Sequence, residues 1–142
     1  MGLQAVRIGI VPLSEPDAVG LVGMPNWMWV DGPDAVTFGP NTASASSGGW
    51  TVTAIAHVER VTWDMGDGQV VACGPGTPYK ASYGQAASPD CGHVYAKQGE
   101  YTVTATSHWV VTWSGIGQAG TITMDLSRST PVTIGEVQVL SQ

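Results

Sequence analysis

The chain has 142 residues, enough for one domain with a real core, and carries five Lys or Arg against eleven Asp or Glu, a formal net charge of −6. That balance excludes a phosphate-backbone partner, because nucleic-acid binders cluster basic side chains, and the basic residues here are scattered at Arg7, Arg60, Lys80, Lys97 and Arg128. No apolar run approaches the roughly 18 residues of a membrane helix, so no membrane span is expected, and no basic-then-apolar leader is visible. The start at Met1-Gly2 is therefore expected to follow removal of a leader. Only 11% of residues are charged, well below the usual quarter. Thr, Ser, Gly and Val fill the gap, and no window shows a sustained 3.6-residue apolar stripe, so strands and turns are expected with almost no helix.

In chain order, Gln4–Val11 alternates Val6, Ile8 and Ile10 against Arg7 and Gly9, and predicts a first strand closed by Pro12 and the turn Ser14-Glu15-Pro16-Asp17. Val19–Val30 predicts a strand or kinked edge segment. Its Pro25 argues against a central strand, and Trp27 and Trp29 share one face. Asp31-Gly32-Pro33-Asp34 is a turn, Thr37–Ala45 a loop or short strand, and Ser46-Ser47-Gly48-Gly49 a breaker. Trp50–Val58 alternates cleanly, with Glu59-Arg60 expected as a short link.

The next stretch, Val61–Gly68, organises the chain. Val61 and Trp63 alternate with Thr62 and Asp64, and the alternation then stops at Met65-Gly66-Asp67-Gly68. Asp bonds its own backbone amides and Gly accepts positive φ, so this is a strand running into a tight acidic turn, with Gln69–Cys73 returning. Trp63 is expected to pin a sandwich core. Gly74–Pro89 predicts a surface loop. Cys91–Tyr95 is extended, and Glu100–Trp113 is the longest strand signal. Tyr101, Val103, Ala105, Ser107, Trp109, Val111 and Trp113 lie on one face of it, and a bulge is expected near Ser107-His108. Ser114–Gly120 is a turn, followed by strands at Thr121–Leu126 and Thr130–Leu140. The second of these changes phase at Gly135-Glu136, where a bulge would keep Val132, Ile134, Val137 and Val139 on the core face. Trp50, Trp109 and Trp113 are expected in the core. Turns at such spacing imply an all-β, immunoglobulin-like antiparallel β-sandwich of 7–9 strands. Residues 1–142 are expected to form a single domain, with 1–20 as N-terminal strand and extension and 74–90 as a Cys-bracketed insert.

The two cysteines, Cys73 and Cys91, fit a disulfide or two buried free thiols. The disulfide is favoured because the bracketed loop has little core of its own. It would stabilise by about 3 kcal/mol in the chain-entropy model and imply an oxidising compartment.

The stretch Trp63-Asp64-Met65-Gly66-Asp67-Gly68 is similar to the Trp-Asp-Phe-Gly-Asp-Gly signature of PKD domains, immunoglobulin-like modules named after the polycystic kidney disease protein. A second block, Cys91–Thr106, resembles the later part of that pattern, with His93, Tyr95, Gly99, Tyr101, Val103 and Thr104 at matching places. The resemblance covers Trp50–Trp113. Met65 departs from the usual Phe, and the Cys-bounded insert looks like a PKD-like variant found in secreted actinobacterial proteins. The resemblance implies an extracellular or cell-surface module acting through protein or carbohydrate contact, with His93 serving the fold by bonding loop backbone.

Chemistry-bearing patterns are few. His57 and His108 sit mid-strand on Thr-rich faces, and no Gly-x-Ser-x-Gly elbow is present, so no catalysis is expected. Asp64 and Asp67, with Asp31, Asp34 or Asp90, are the acids from which a structural calcium would draw oxygens. The turn explains Asp64 and Asp67 without an ion, and no cofactor is expected. The Gly-rich segments lack the Gly-Lys-Ser/Thr ending of a phosphate loop. Aromatics carry the functional expectation: Trp27 and Trp29 at an edge, and Tyr79 and Tyr83 on the insert, are candidate contacts for a polysaccharide or a protein partner. A non-catalytic structural or adhesive module is therefore expected, self-associating through an edge at Gln4–Val11 or at the C-terminal strand. The alternative is a carbohydrate-binding module.

Overall fold

A computed structural model describes residues 1–11 and 20–136. Strands account for about 59% of the chain, and among the described residues there is no α-helix. The expected all-β antiparallel sandwich is what forms, built from nine strands among the described residues. They are β1 (Ile8–Val11), β2 (Gly20–Leu21), β3 (Pro25–Val30), β4 (Asn41–Ser47), β5 (Trp50–Asp64), β6 (Val70–Cys73), β7 (Gly92–Val94), β8 (Gly99–Gly115) and β9 (Gln118–Gly135). A short sheet has the order β1-β3-β7. A curled, six-stranded sheet has the order β2-β9-β8-β5-β4, with β6 also paired to β5. All pairs are antiparallel except the two-residue parallel contact of β2 with β9.

The core lies where the short sheet covers the long one. Trp63 is fully buried with Val61, Met65, Val103, Ala105 and Trp109 from the long sheet, packed against Met28, Val30, Ile10 and Tyr95. The indole N–H groups of Trp63 and Trp109 have no partner in this apolar layer. The described N-terminal residues are held by Arg7, which donates to the Gly32 carbonyl and to Asp34 at 2.9 Å. The Arg7 guanidinium, then the Thr37 hydroxyl, hold the Asp34 carboxyl down at about 2.

Several local expectations are corrected by the pairing. Pro25 does not push its strand to an edge, since β3 is the centre of the short sheet. As the first residue of that strand, it costs the ladder little. Glu59-Arg60 is not a link: β5 runs unbroken for 15 residues, and its register with β8 shifts between Val58 and Arg60. Glu59 is the extra residue of a β-bulge, which moves the inward set from even positions (Ala56, Val58) to odd ones (Val61, Trp63). The bulge expected near Ser107-His108 is thus on the facing strand, for β8 and β9 pair without interruption from Gly99↔Ile134 to Gly115↔Gln118. Ser114–Gly120 is not an extended turn either. Ile116 and Gly117 alone reverse the chain, at φ 55° and 69°, and one 18-residue strand replaces the two expected after it. The expected phase switch at Gly135-Glu136 concerns Val137 and Val139, which lie outside the described residues, as does the turn at Ser14–Asp17.

Two outcomes follow. Trp63→Ala should lose about 3–5 kcal/mol in urea denaturation, whereas Trp63→Phe should lose clearly less, because it keeps most of the ring and removes an unpartnered N–H. For Asp34 the folded pKa lies below the unfolded 3.8. Its contribution is therefore complete above that pH and is lost as pH falls toward about 2. Asp34→Asn should flatten that part of the acid-unfolding curve.

Candidate functional site

Three places bear on function. The first is the aromatic group. Trp27 and Trp29 share the outer face of β3, as alternation implies, but the insert folds back over that face. Tyr83 stacks on Trp27 at 5.1 Å with planes 5° apart, and Tyr79 meets it edge-on at 5.3 Å. The Trp27 indole donates to the Ala86 carbonyl at 2.8 Å, leaving Trp27 only 4% exposed. Trp29 lies across Gly9 of β1, where any Cβ would strike its ring. The two indoles of the candidate pair thus have separate partners: Trp27 is covered by Tyr79, Tyr83 and the Ala86 carbonyl, and Trp29 is half-buried over Gly9. Tyr83 keeps 38% exposure. The fold of the insert is secured at its base by the Cys73–Cys91 disulfide, with Cα atoms 5.6 Å apart.

The second is the acidic corner. Asp64 Oδ1 accepts from the Gly66 amide at 2.9 Å and Asp67 Oδ1 from the Gln69 amide at 3.0 Å, so both acids turn the backbone as expected. Gly66 has φ 79°, and a Cβ there would fall 2.6 Å from the Thr102 carbonyl oxygen. The second oxygen of Asp67 meets His93 Nε2 at 2.7 Å. His93 thus bonds a carboxylate rather than loop backbone. Tyr95 donates to the Met65 carbonyl at 2.7 Å and stacks on Tyr101 at 4.4 Å. Burial, and after it the Asp67 charge, push the Tyr95 phenol well above its ordinary value. A hollow of about 610 Å³ beside the corner is lined by Asp67, Gln69, His93, Lys97 and Tyr101. Asp90 accepts from Thr77 and Ser88, and Asp34 is bonded to Arg7. Among the described residues no three His, Cys, Asp or Glu side chains converge.

The third place was not anticipated. β5, β8 and β9 are 15, 17 and 18 residues long, whereas β1, β3 and β7 are 4, 6 and 3. At about 3.3 Å per residue the long strands reach roughly 50 Å and the short sheet at most about 20 Å. Among the described residues the short sheet is therefore too short to cover the whole inner face of the long one, whose far end extends beyond it. Ala56 and Val111 are still buried in the row Asn41–Ala56–Val111–Ile122, and the next row out, Ala43–Ala54–Trp113–Gly120, is half-buried. Trp50, expected in the core, is 59% exposed at this end, and on β9 Ile122 at 56% and Met124 at 38% are exposed opposite the buried Val111 and Trp109. Ile116 at the tip and Ile55 on the outer face are exposed as well. Trp113 is only half-buried, its ring lying over Gly120. From Asn41 to Val58 and from Trp109 to Met124 there is no Asp, Glu, Lys or Arg. That charge-free pair of runs is the sequence signal that marks the surface.

The outer face is hydroxyl-rich and self-satisfied. Thr104 pairs with Ser129 at 2.8 Å, Thr106 with Ser127 at 2.7 Å, and Ser46 with Thr51 at 2.8 Å. A shallow depression of about 500 Å³ is lined here by Thr53, Ile55, Thr112, Ser114 and Thr121. Thr62 Oγ1 meets His108 Nε2 at 2.8 Å and His108 Nδ1 meets Asp125 at 2.9 Å. This has the connectivity of a nucleophile–base–acid relay. It lies in mid-sheet on the outer face, beside the Glu59 bulge of β5, with Asp125 exposed to solvent.

Compared with known proteins, the chain matches no family model, no curated protein and no solved structure.

Asp67→Asn retains an oxygen for the Gln69 amide but removes the charge facing His93, in a pair whose side chains are 10% and 17% exposed. It should cost about 1.5–3 kcal/mol in denaturant titration, the range for a charge-assisted hydrogen bond.

Proposed function

We propose that this chain is a non-catalytic structural or adhesive module of the extracellular space, kin to the PKD domains, which works by protein–protein contact including self-association. The observation that carries this reading is the charge-free end of the long sheet, with Trp50, Ile122 and Met124 exposed on one face. Charged residues are depleted and aromatics and Met enriched at the centres of protein interfaces, and apolar patches on soluble chains mark contact sites.

The kinship is supported by how the two motif blocks meet: His93 on Asp67, Tyr95 on the Met65 carbonyl, and Gly66 against Thr102. The disulfide supports an oxidising compartment, and no helix among the described residues is long and apolar enough to cross a membrane. The reading needs no cofactor. A second reading, a carbohydrate module using Trp27, Trp29, Tyr79 and Tyr83, rests on Tyr83, which keeps an open face while the other rings are engaged with each other or the chain.

Light scattering on the whole chain should show mass rising with concentration, and the double substitution Trp50→Ser with Ile122→Ser should suppress the rise. A strict monomer throughout would remove self-association. Retention on insoluble chitin or cellulose, lost in Tyr83→Ala and kept in the Trp50 and Ile122 variant, would favour the carbohydrate reading.

A further inference from the structure

We infer that a second copy of this chain docks edge to edge on β4, antiparallel about a two-fold axis at Ser44. The inference rests on the protein-contact reading above and names its partner and geometry.

β4 closes one side of the long sheet, and among the described residues its outer edge pairs with no strand. A bare edge is a template for another strand, and soluble proteins usually guard it with charge, proline or a bulge. β9, on the opposite side, is guarded: it carries Asp125 and Arg128 and contains Pro131, and Arg128 donates to the Val6 carbonyl at 3.0 Å. β1 is an edge of only four residues, beside Arg7. β4 has none of these devices. Its sequence, Asn-Thr-Ala-Ser-Ala-Ser-Ser, is uncharged and prolineless, and it pairs with β5 without a register shift from Asn41↔Ala56 to Ser47↔Trp50.

The sequence of β4 is also complementary to itself. With Ser44 opposite Ser44 of a second copy, Ala43 faces Ala45 on the inner side, where small side chains let two sheets continue without a clash. On the outer side Thr42 faces Ser46. Cross-strand hydroxyl pairs of this kind already recur in the molecule at 2.7 to 2.8 Å. Charge selects the same place. A chain of net charge −6 repels its copy, and this end keeps every charged side chain away from the contact. The two-fold sends the two disulfide-bearing bodies to opposite ends. It also puts both Trp50–Ile122–Met124 faces on the same side of one joined, curling sheet. An isologous contact of this kind closes at two copies.

Sedimentation of the intact chain and two charge variants tests this. Wild type should reach twice the monomer mass and stop. Ser44→Lys and Ser44→Glu, each alone, should raise the dissociation constant at least about tenfold through like charges juxtaposed across the axis. Each should keep the wild-type circular dichroism, because Ser44 is exposed. Mixing the two should restore a dimer containing one copy of each. If both variants associate as wild type does while the Trp50 and Ile122 variant does not, the edge geometry is overturned and the contact surface stands. If mass climbs beyond two copies, the closed two-fold is overturned. If wild type is monomeric at every concentration, the dimer and the self-association behind it fall together.

Discussion

A sandwich buries only as much of its larger layer as its smaller layer covers, and here the layers differ greatly in length. Trp63 and Trp109 sit under the short sheet and are fully buried. Trp50 and Trp113 occupy the same inward phase of the same strands, beyond the reach of β3, and stay in contact with solvent or nearly so. Position along the strand therefore divides one apolar stripe into a core and a surface. The rest of the molecule arranges itself around that division.

At the covered end the layers are fastened three times within a short span. The disulfide joins β6 to the residue before β7. The Asp67–His93 pair ties the β5–β6 turn to β7 itself. The Tyr95 hydroxyl closes on the carbonyl of Met65, the residue after Asp64 ends β5. One link is covalent and one is charge-assisted, which is the stronger kind of hydrogen bond. The insert uses the same base to lie over Trp27, so that a segment poor in apolar residues still gains a packed aromatic cluster. By contrast, among the described residues the far end carries no disulfide and no ion pair, and its strands are joined by the ladder and by hydroxyl pairs such as Ser46 with Thr51.

Much of the covered end was legible in the sequence. Period-2 alternation placed Trp63, Val103, Ala105 and Trp109 inward, and the Asp-Gly turn chemistry placed the acidic corner. The cysteine pair and the bracketed loop pointed to the bridge. What was not legible depends on distant partners. Trp50 and Trp109 look alike in any local window, and only the length of β3 separates them. Trp27 and Trp29 do share a face, but whether that face meets solvent is decided by where the insert lands. The extra residue at Glu59 leaves no side-chain signature beyond a phase change, which reads equally as a break between two strands. Ile116 with Gly117 reverses the chain in two residues, and a non-glycine at positive φ is a poor local cue.

The two faces of the uncovered end differ in a way that bears on what can dock there. On the outer face Thr and Ser hydroxyls bond one another across strands, and His108 bridges Thr62 to Asp125. Water gains nothing by leaving groups already paired, and a partner would have to match their pattern. The inner face offers Trp50, Ile122 and Met124, whose burial needs no pattern and returns about 25 cal/mol per Å² removed from water. The edge of β4 stands between them, carrying small side chains inward and hydroxyls outward. A strand added there extends the hydroxyl pairing on one side and the apolar sheet on the other. Among the described residues the β4 edge is thus a line along which an added strand would continue both faces while pairing its own backbone groups.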